Sequence, residues 1–321
     1  MNKLACLLPL AFALAACGAP EPPPADTAPP PVPAAESMPA DADQPAEPTP
    51  PQTAGEFATA RLDEALAGAW RSDANKARDV YRHPRQTLEF FGVQPSDTVI
   101  EIAPGAGWYT EILAPMLKDS GHFIAANATD ASSDYARKTN EAYRALLKKD
   151  AAEFGDVEFV EYDPKAPVLG PADSADVVLT FRNVHNWGDN APAMFKAFFD
   201  VLKPGGTLGV VDHRAKPGTT LEQARGTGYL PTDYVVGLAT DAGFTLVAES
   251  EVNANPKDTK DYEKGVWTLP PTLSQGDTDK DKYLAIGESD RMTLKFQKPQ
   301  GDRIFRQGNE SAPRDDTPAQ P

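Results

Sequence analysis

The sequence predicts an α/β fold built on an open, mainly parallel sheet. Three observations carry this. Residues Thr98–Thr110, TVIEIAPGAGWYT, pass from a short apolar strand through a glycine turn into a helix. From Phe123 onward, apolar strand-like runs alternate with helical segments. The stretch from Glu56 to Pro299, about 245 residues, suits one α/β domain or a domain with an insertion.

Taken in order, Glu56 to Trp70 and Ala74 to Tyr81 show helical spacing, with Asp73 as N-cap, and Pro84 to Phe91 reads as a third helix stopped by Gly92. Val99, Ile100 and Ile102 are β-formers of a buried strand, with the acid Glu101 among them. Gly105 and Gly107 let the backbone turn sharply and approach a ligand with no Cβ in the way. The next helix, Trp108 to about Leu117, points its N-terminal N–H groups at the same spot. A dinucleotide fingerprint has a third glycine where this chain has Thr110, which argues against a nicotinamide cofactor.

A second strand over Phe123–Ala126, a helix over Ser133–Phe154 and strands over Val157–Tyr162 and Ala175–Phe181 follow. Ala191–Leu202 is helical and is closed by Lys203-Pro-Gly-Gly206 before a fifth strand, Thr207–Val211. A helix over Thr232–Ala242 precedes strand six, Phe244–Ser250, and Arg291–Phe296 alternates like a last strand. Between those two strands, Val252–Asp290 is rich in Asp, Lys, Gly and Pro. Trp267 with Pro270 and Pro271 favours an ordered flap there, tipped by a solvated Asp277–Lys282.

The two ends differ in composition. Residues 1–16 carry Lys3 and then an apolar run too short to span a bilayer, which reads as an export signal. Leu14-Ala-Ala-Cys17-Gly18 resembles the lipobox of bacterial lipoproteins, which implies acylation of Cys17; the alternative is a secretory signal with an incidental cysteine. Of the 2 cysteines, Cys6 lies in the removed segment, so the mature chain has no disulfide. The lipobox resemblance implies an exported, membrane-anchored protein facing the periplasm, with Gly18 leaning toward the outer membrane. Residues 17–55 are Pro- and Ala-rich and read as a spacer reaching up to roughly 100 Å, and 300–321 form a polar tail. A formal net charge of −16 disfavours nucleic acid as a partner.

The acid before the turn and the Gly-x-Gly within it resemble motif I of class I S-adenosylmethionine-dependent methyltransferases. That resemblance implies that Glu101, Gly105, Gly107 and Thr110 hold the methionine and ribose portions of S-adenosyl-L-methionine. The family's usual first glycine is Ala103, whose backbone is then expected to keep a negative φ. The run Arg182-Asn-Val184, a helix, then Leu202-Lys-Pro-Gly-Gly206 is similar to the methyltransferases of ubiquinone and menaquinone biosynthesis. It implies a Rossmann-like seven-stranded sheet of order 3-2-1-4-5-7-6 with an antiparallel last strand, and Arg182 and Asn183 at the cofactor. Four strings, Val211-Asp-His-Arg214, Asn255-Pro-Lys-Asp258, Trp267-Thr-Leu-Pro-Pro271 and Gly287-Glu-Ser-Asp-Arg-Met292, resemble a bacterial group of predicted, exported methyltransferases.

Where the family carries an acid for the ribose hydroxyls this chain has Asn127, with Asp130 as a nearby substitute, and Asp163 stands where adenine is contacted. The N-terminal helices stand where many members carry a lid, from which Tyr81, Arg82, His83 and Arg85 could reach a carboxylate or a substrate.

Methyl transfer to oxygen or nitrogen needs a base at the carboxyl ends of strands four and five, where ligands bind in such sheets. His185 and His213 follow those strands, and Asp212 could orient one of them or act itself. Trp187 is read as core packing or as a stacking surface. The 4 scattered histidines suggest no metal site, and a Gly-x-Ser-x-Gly elbow is absent. The expected function is methylation of a small molecule; the alternative is a binding or scaffold protein that keeps the fold without transfer.

Overall fold

In the computed structural model, residues 54–301 are described. The signal segment, Cys17, nearly all of the spacer and most of the tail lie outside the described residues.

The glycine-turn strand β1 (Thr98–Ile102) is buried from Val99 onward, so its neighbours cover it on both edges and both faces. It pairs in parallel with β2 (His122–Ala128) on one side and β4 (Ala175–Phe181) on the other, Ile100 standing opposite Ile124 and Val178. β3 (Glu158–Tyr162) extends the sheet beyond β2, and β5 (Leu202–His213) extends it beyond β4. β7 (Arg291–Gln297) inserts antiparallel between β5 and β6 (Thr245–Ser250), completing the predicted order 3-2-1-4-5-7-6.

Strand alternation sends Ile100 and Ile102 to a core shared with helix α8 (Ala191–Val201), through Phe195 and Phe198, and, past the one-turn helix α9 (Leu221–Ala224), with α10 (Thr232–Asp241), through Val235 and Leu238. Val99 faces the opposite core, with α4 (Pro84–Phe91) and α5 (Thr110–Leu117) supplying Leu88, Phe91, Ile112 and Leu113. Burial of this apolar surface on two faces is the main stabilising term of such a fold. Among the described residues no helix is long and apolar enough to cross a membrane.

Several local expectations are corrected. The first helix is α1 (Ala54–Ala67), and the second divides into α2 (Asp73–Lys76) and α3 (Asp79–Arg82). Ser72, not Asp73, caps α2, its hydroxyl accepting the Asn75 N–H at 3.2 Å. The helix after β2 breaks at Asp150 into α6 (Asp134–Lys149) and α7 (Ala151–Phe154), because Asp150 leaves the helical region at φ −139° and caps the second piece. β5 starts earlier than expected, at Leu202, and the Lys203-Pro-Gly-Gly206 turn lies within it: Gly205 adopts φ +83°, its N–H donates to the Lys298 carbonyl, and Lys298 N–H donates to that of Gly206. The extra residues are absorbed by an irregularity in the β4 pairing. The flap is ordered as expected, with the short helix α11 (Lys280–Ile286) near its exposed tip and Val266 and Leu269 buried at its base.

Candidate functional site

Two cavities open at the carboxyl ends of β1, β4 and β5, one of about 280 Å³ and one of about 480 Å³. Ala103, Gly105 and Asn183 line both. The glycine turn is therefore their common wall.

Ala103 adopts φ +50°, against the expected negative value. The left-handed conformation costs an alanine about 1 kcal/mol, and the surroundings impose it. Its N–H donates to the Ala126 carbonyl at 2.8 Å, and Asn183 Nδ2 donates to the Ile102 carbonyl at 2.9 Å. The two glycines of the turn divide the work. At Gly105, φ +62°, a Cβ would meet nothing within 4 Å and would project into open space where both cavities meet. At Gly107, φ +79°, a Cβ would lie 2.1 Å from Leu146 Cδ2, so this glycine serves the packing of α6 and lines neither cavity.

Thr110 also stands outside the lining; its hydroxyl pairs with Tyr143 Oη at 2.8 Å and reaches Glu101 Oε2 at 3.4 Å. Glu101 is 3% exposed and lines the smaller cavity. Burial raises its carboxyl to about 8, against the pull of the Thr110 hydroxyl and the Arg82 charge.

The larger cavity contains Asn127, whose buried Nδ2 has no hydrogen-bond partner. Such an orphaned donor points to a ligand acceptor. Asp130 is engaged elsewhere, accepting from Asn140 Nδ2 at 2.8 Å and Arg144 Nη1 at 3.1 Å. Asp163 is exposed, holds a turn through the Lys165 N–H at 2.9 Å and lines neither cavity; Tyr162 and Pro164 beside it do line the larger one. Trp187 packs edge-on to Phe198 at 5.6 Å between centroids and also lines the larger cavity.

The smaller cavity brings His185 and His213 together, ring centroids 5.0 Å apart, across Asp212. Asp212 is fully buried. Its Oδ1 accepts from the His213 N–H at 2.7 Å and lies 2.9 Å from His185 Nδ1, and its Oδ2 accepts the Val184 N–H at 2.7 Å. With Asp212 as acceptor, His185 Nδ1 is the donor, and Nε2 is left to take a proton. His213 Nδ1 sits 2.5 Å from Ser289 Oγ. Burial, then His185 and the charges of Arg182, Arg291 and Arg82, hold the His213 imidazole well below its usual range.

Ligand-type atoms of His185, Asp212 and His213 lie within 4.8 Å of one another, a grouping that the scattered sequence positions did not suggest. Both Asp212 oxygens are committed to N–H donors, and the nearby guanidiniums oppose a cation. The cluster therefore reads as a hydrogen-bonded acid–base group.

Arg182 lines the same cavity from a left-handed backbone, φ +62°. Arg82, expected on a lid, is buried there instead, over the Trp108 ring at 4.6 Å, with Nε 3.2 Å from Glu288 Oε2. Of the other lid residues, Arg85 ion-pairs with Asp63 at the surface, and Tyr81 gives its carbonyl to Arg291.

Sequence reasoning missed Glu288, Ser289, Arg78 and Arg291 as site residues. The signal was present in the strings outside motif I, which converge here. Trp267 and Pro271 wall the cavity, and Asn255 anchors the segment leading into β7 by donating from Nδ2 to the Glu288 carbonyl at 2.6 Å. Asp258 accepts the Asp290 N–H at 2.7 Å, and Arg214 forks onto Asp290 and Glu251.

Residues 99–206 match the family model described as a methyltransferase domain. A ubiquinone/menaquinone biosynthesis C-methyltransferase of Ectopseudomonas mendocina is 35% identical over 141 residues, covering 43% of this chain and 49% of that protein. Its counterpart from Teredinibacter turnerae is 29% identical over 138 residues, 43% of this chain and 51% of that one. The chain thus spans about half the length of the curated relatives it matches. The solved structure of the (4+2)-cyclase SpnF superposes with a TM-score of 0.50 at 14% identity, covering 76% of this chain and 93% of that one, a likeness of fold alone. A methyltransferase-domain match thus lies over the strands that build both cavities, and in this segment and in its sheet order the chain is similar to the class I S-adenosylmethionine-dependent methyltransferases.

Proposed function

We propose that this protein transfers a methyl group from S-adenosyl-L-methionine to an oxygen or nitrogen of a small molecule. The observation that carries the reading is a pair of cavities that share Gly105 in their walls, one holding the orphaned Asn127 Nδ2 and the other lined by His185, which pairs with Asp212. The residues fit the cofactor. Asn127 offers a donor to ribose hydroxyls, Tyr162 and Trp187 line an apolar slot for a purine, and the open face of Gly105 admits close backbone approach. Glu101 stands in the wall of the smaller cavity, able to accept from hydroxyl or ammonium groups.

When bound, the cofactor supplies an electrophilic methyl carbon whose bond to sulfur breaks as the bond to the acceptor forms. The chain's task is to aim the acceptor and remove its proton. His185 Nε2 takes that proton, and the imidazolium so formed is stabilised by Asp212, itself fixed by two backbone N–H groups. Fold alone would not choose this reaction, as the cyclase with the same architecture illustrates.

Incubation with methyl-labelled S-adenosylmethionine and a low-molecular-weight cell extract tests the reading. Label should move into a new small molecule, at a rate falling about 100-fold in His185→Asn. Label that stays on the cofactor would contradict it.

We further propose that Cys17 is acylated and holds the protein at a membrane, facing the periplasm, on the strength of the lipobox-like run before it. Palmitate labelling should mark the wild type and be lost in Cys17→Ser; equal labelling of both removes the anchor.

A further inference from the structure

The smaller cavity carries more positive charge than its own acids and its cofactor can balance. Arg78, Arg82 and Arg182 line it, and Arg291 packs behind them. Three of the four converge on one carboxylate, Glu288: Arg78 Nε at 2.7 Å, Arg82 Nε at 3.2 Å and Arg291 Nη1 at 3.2 Å. Burial would raise Glu288, but Arg82, Arg291, Arg182 and Arg78 hold it down at about 2, so it is ionised throughout the working range. The other acid of the cavity wall, Glu101, is pushed up to about 8 and is largely neutral at pH 7.

Donors remain unspent. Arg82 is 3% exposed, yet its Nη2 has no hydrogen-bond partner, and neither has Arg78 Nη2. Arg182 makes no side-chain hydrogen bond or ion pair among the described residues, although it faces the cavity beside His185. Guanidinium groups left unpaired in a pocket are costly unless a ligand completes them, and their planar fork matches carboxylate and phosphate oxygens. The cofactor does not close the balance. Its carboxylate is offset by its own ammonium, and its sulfonium adds a further positive charge. Among the described residues no acidic side chain other than Glu101 and Glu288 lines this cavity, and with Asp212 buried behind His185 the four arginines still outnumber the acids.

We infer that the methyl acceptor is an anion, carrying a carboxylate or phosphate group that Arg182 and the free Nη2 of Arg82 bind in the smaller cavity. The inference deepens the methyltransferase reading and rests on it for the word acceptor. It places the anionic group beside the His185–Asp212 pair, so the group anchors the molecule while a neighbouring hydroxyl or amine meets His185. The same field disfavours a metal ion at His185 and His213.

The test is calorimetric titration of the full-length protein, with and without S-adenosylhomocysteine, using benzoate, phenyl phosphate and phenol as probes. At least one anion should bind about tenfold or more tighter than phenol, and Arg182→Met should reduce that preference to within about threefold while leaving S-adenosylhomocysteine affinity within threefold of wild type. Three results would overturn the inference: anions binding no better than phenol to the wild type, an unchanged preference in Arg182→Met, or a tenfold loss of S-adenosylhomocysteine affinity with 5′-methylthioadenosine unaffected. The last would assign the arginine to the cofactor's carboxylate. The wild-type comparison stands without any variant, and Arg182→Lys, which keeps the charge, should retain part of the preference. Absence of S-adenosylhomocysteine binding would instead count against the methyltransferase reading, since the probes are also read without it.

Discussion

Glu101 shows how burial in a cavity wall couples one residue's protonation to stability. Its folded carboxyl titrates near 8, against 4.5 for an unperturbed glutamate, because the sheet and α5 exclude water from it. Between those values the unfolded chain has released a proton that the folded chain keeps, so this group lowers stability as pH rises from 4.5 to 8. Glu101→Gln should therefore melt several degrees higher than wild type at pH 8 and nearly equal to it at about pH 4. Equal melting at both pH values would mean that the carboxyl is ionised without cost. Glu101 was legible in the sequence as the motif acid; its protonation was not, because it depends on burial that only the packed helix creates. Ala103 gives the opposite lesson. Local sterics predict a negative φ, and the site imposes a positive one through Asn183 and Ala126, contacts distant in sequence.

At the scale of elements, strand existence and order were legible because β-branched runs and glycine turns are local signals. The flap was not. Its ordered path depends on a polar network around Asp290, which takes Arg214 at 2.9 Å, Lys260 at 2.7 Å and the Asn255 N–H at 2.8 Å. Burial would raise the Asp290 carboxyl, but those hydrogen bonds hold it below the usual carboxylate range. The network pins Glu288 and Ser289 at the cavity, so the flap and the His185–His213 pair form one construction. Asp290→Ala should cost roughly 3 kcal/mol in urea unfolding, by leaving Lys260 without its carboxylate and Arg214 with Glu251 alone. It should also speed amide exchange at residues 253–260 and 286–289 well beyond that in the sheet. Uniform exchange across the domain would show that Asp290 supports the fold alone.

For the whole molecule, the contrast is between a chain of net charge −16 and a cavity walled by arginines. Composition averages over the surface and hid the cationic pocket, whose members lie more than 200 residues apart in Arg78, Arg82 and Glu288. The pairing of His185 with His213 was likewise visible only as two strand ends until β4 and β5 set them side by side. The proposal on which the rest depends is that the larger cavity, which shares Gly105 with the smaller one, holds the cofactor. Calorimetric titration of the full-length protein with S-adenosylhomocysteine, beside Gly105→Trp, tests it most directly. Micromolar binding in the wild type, lost in a variant that still melts cooperatively, is the predicted result; no binding by the wild type, or equal binding by both proteins, would contradict it.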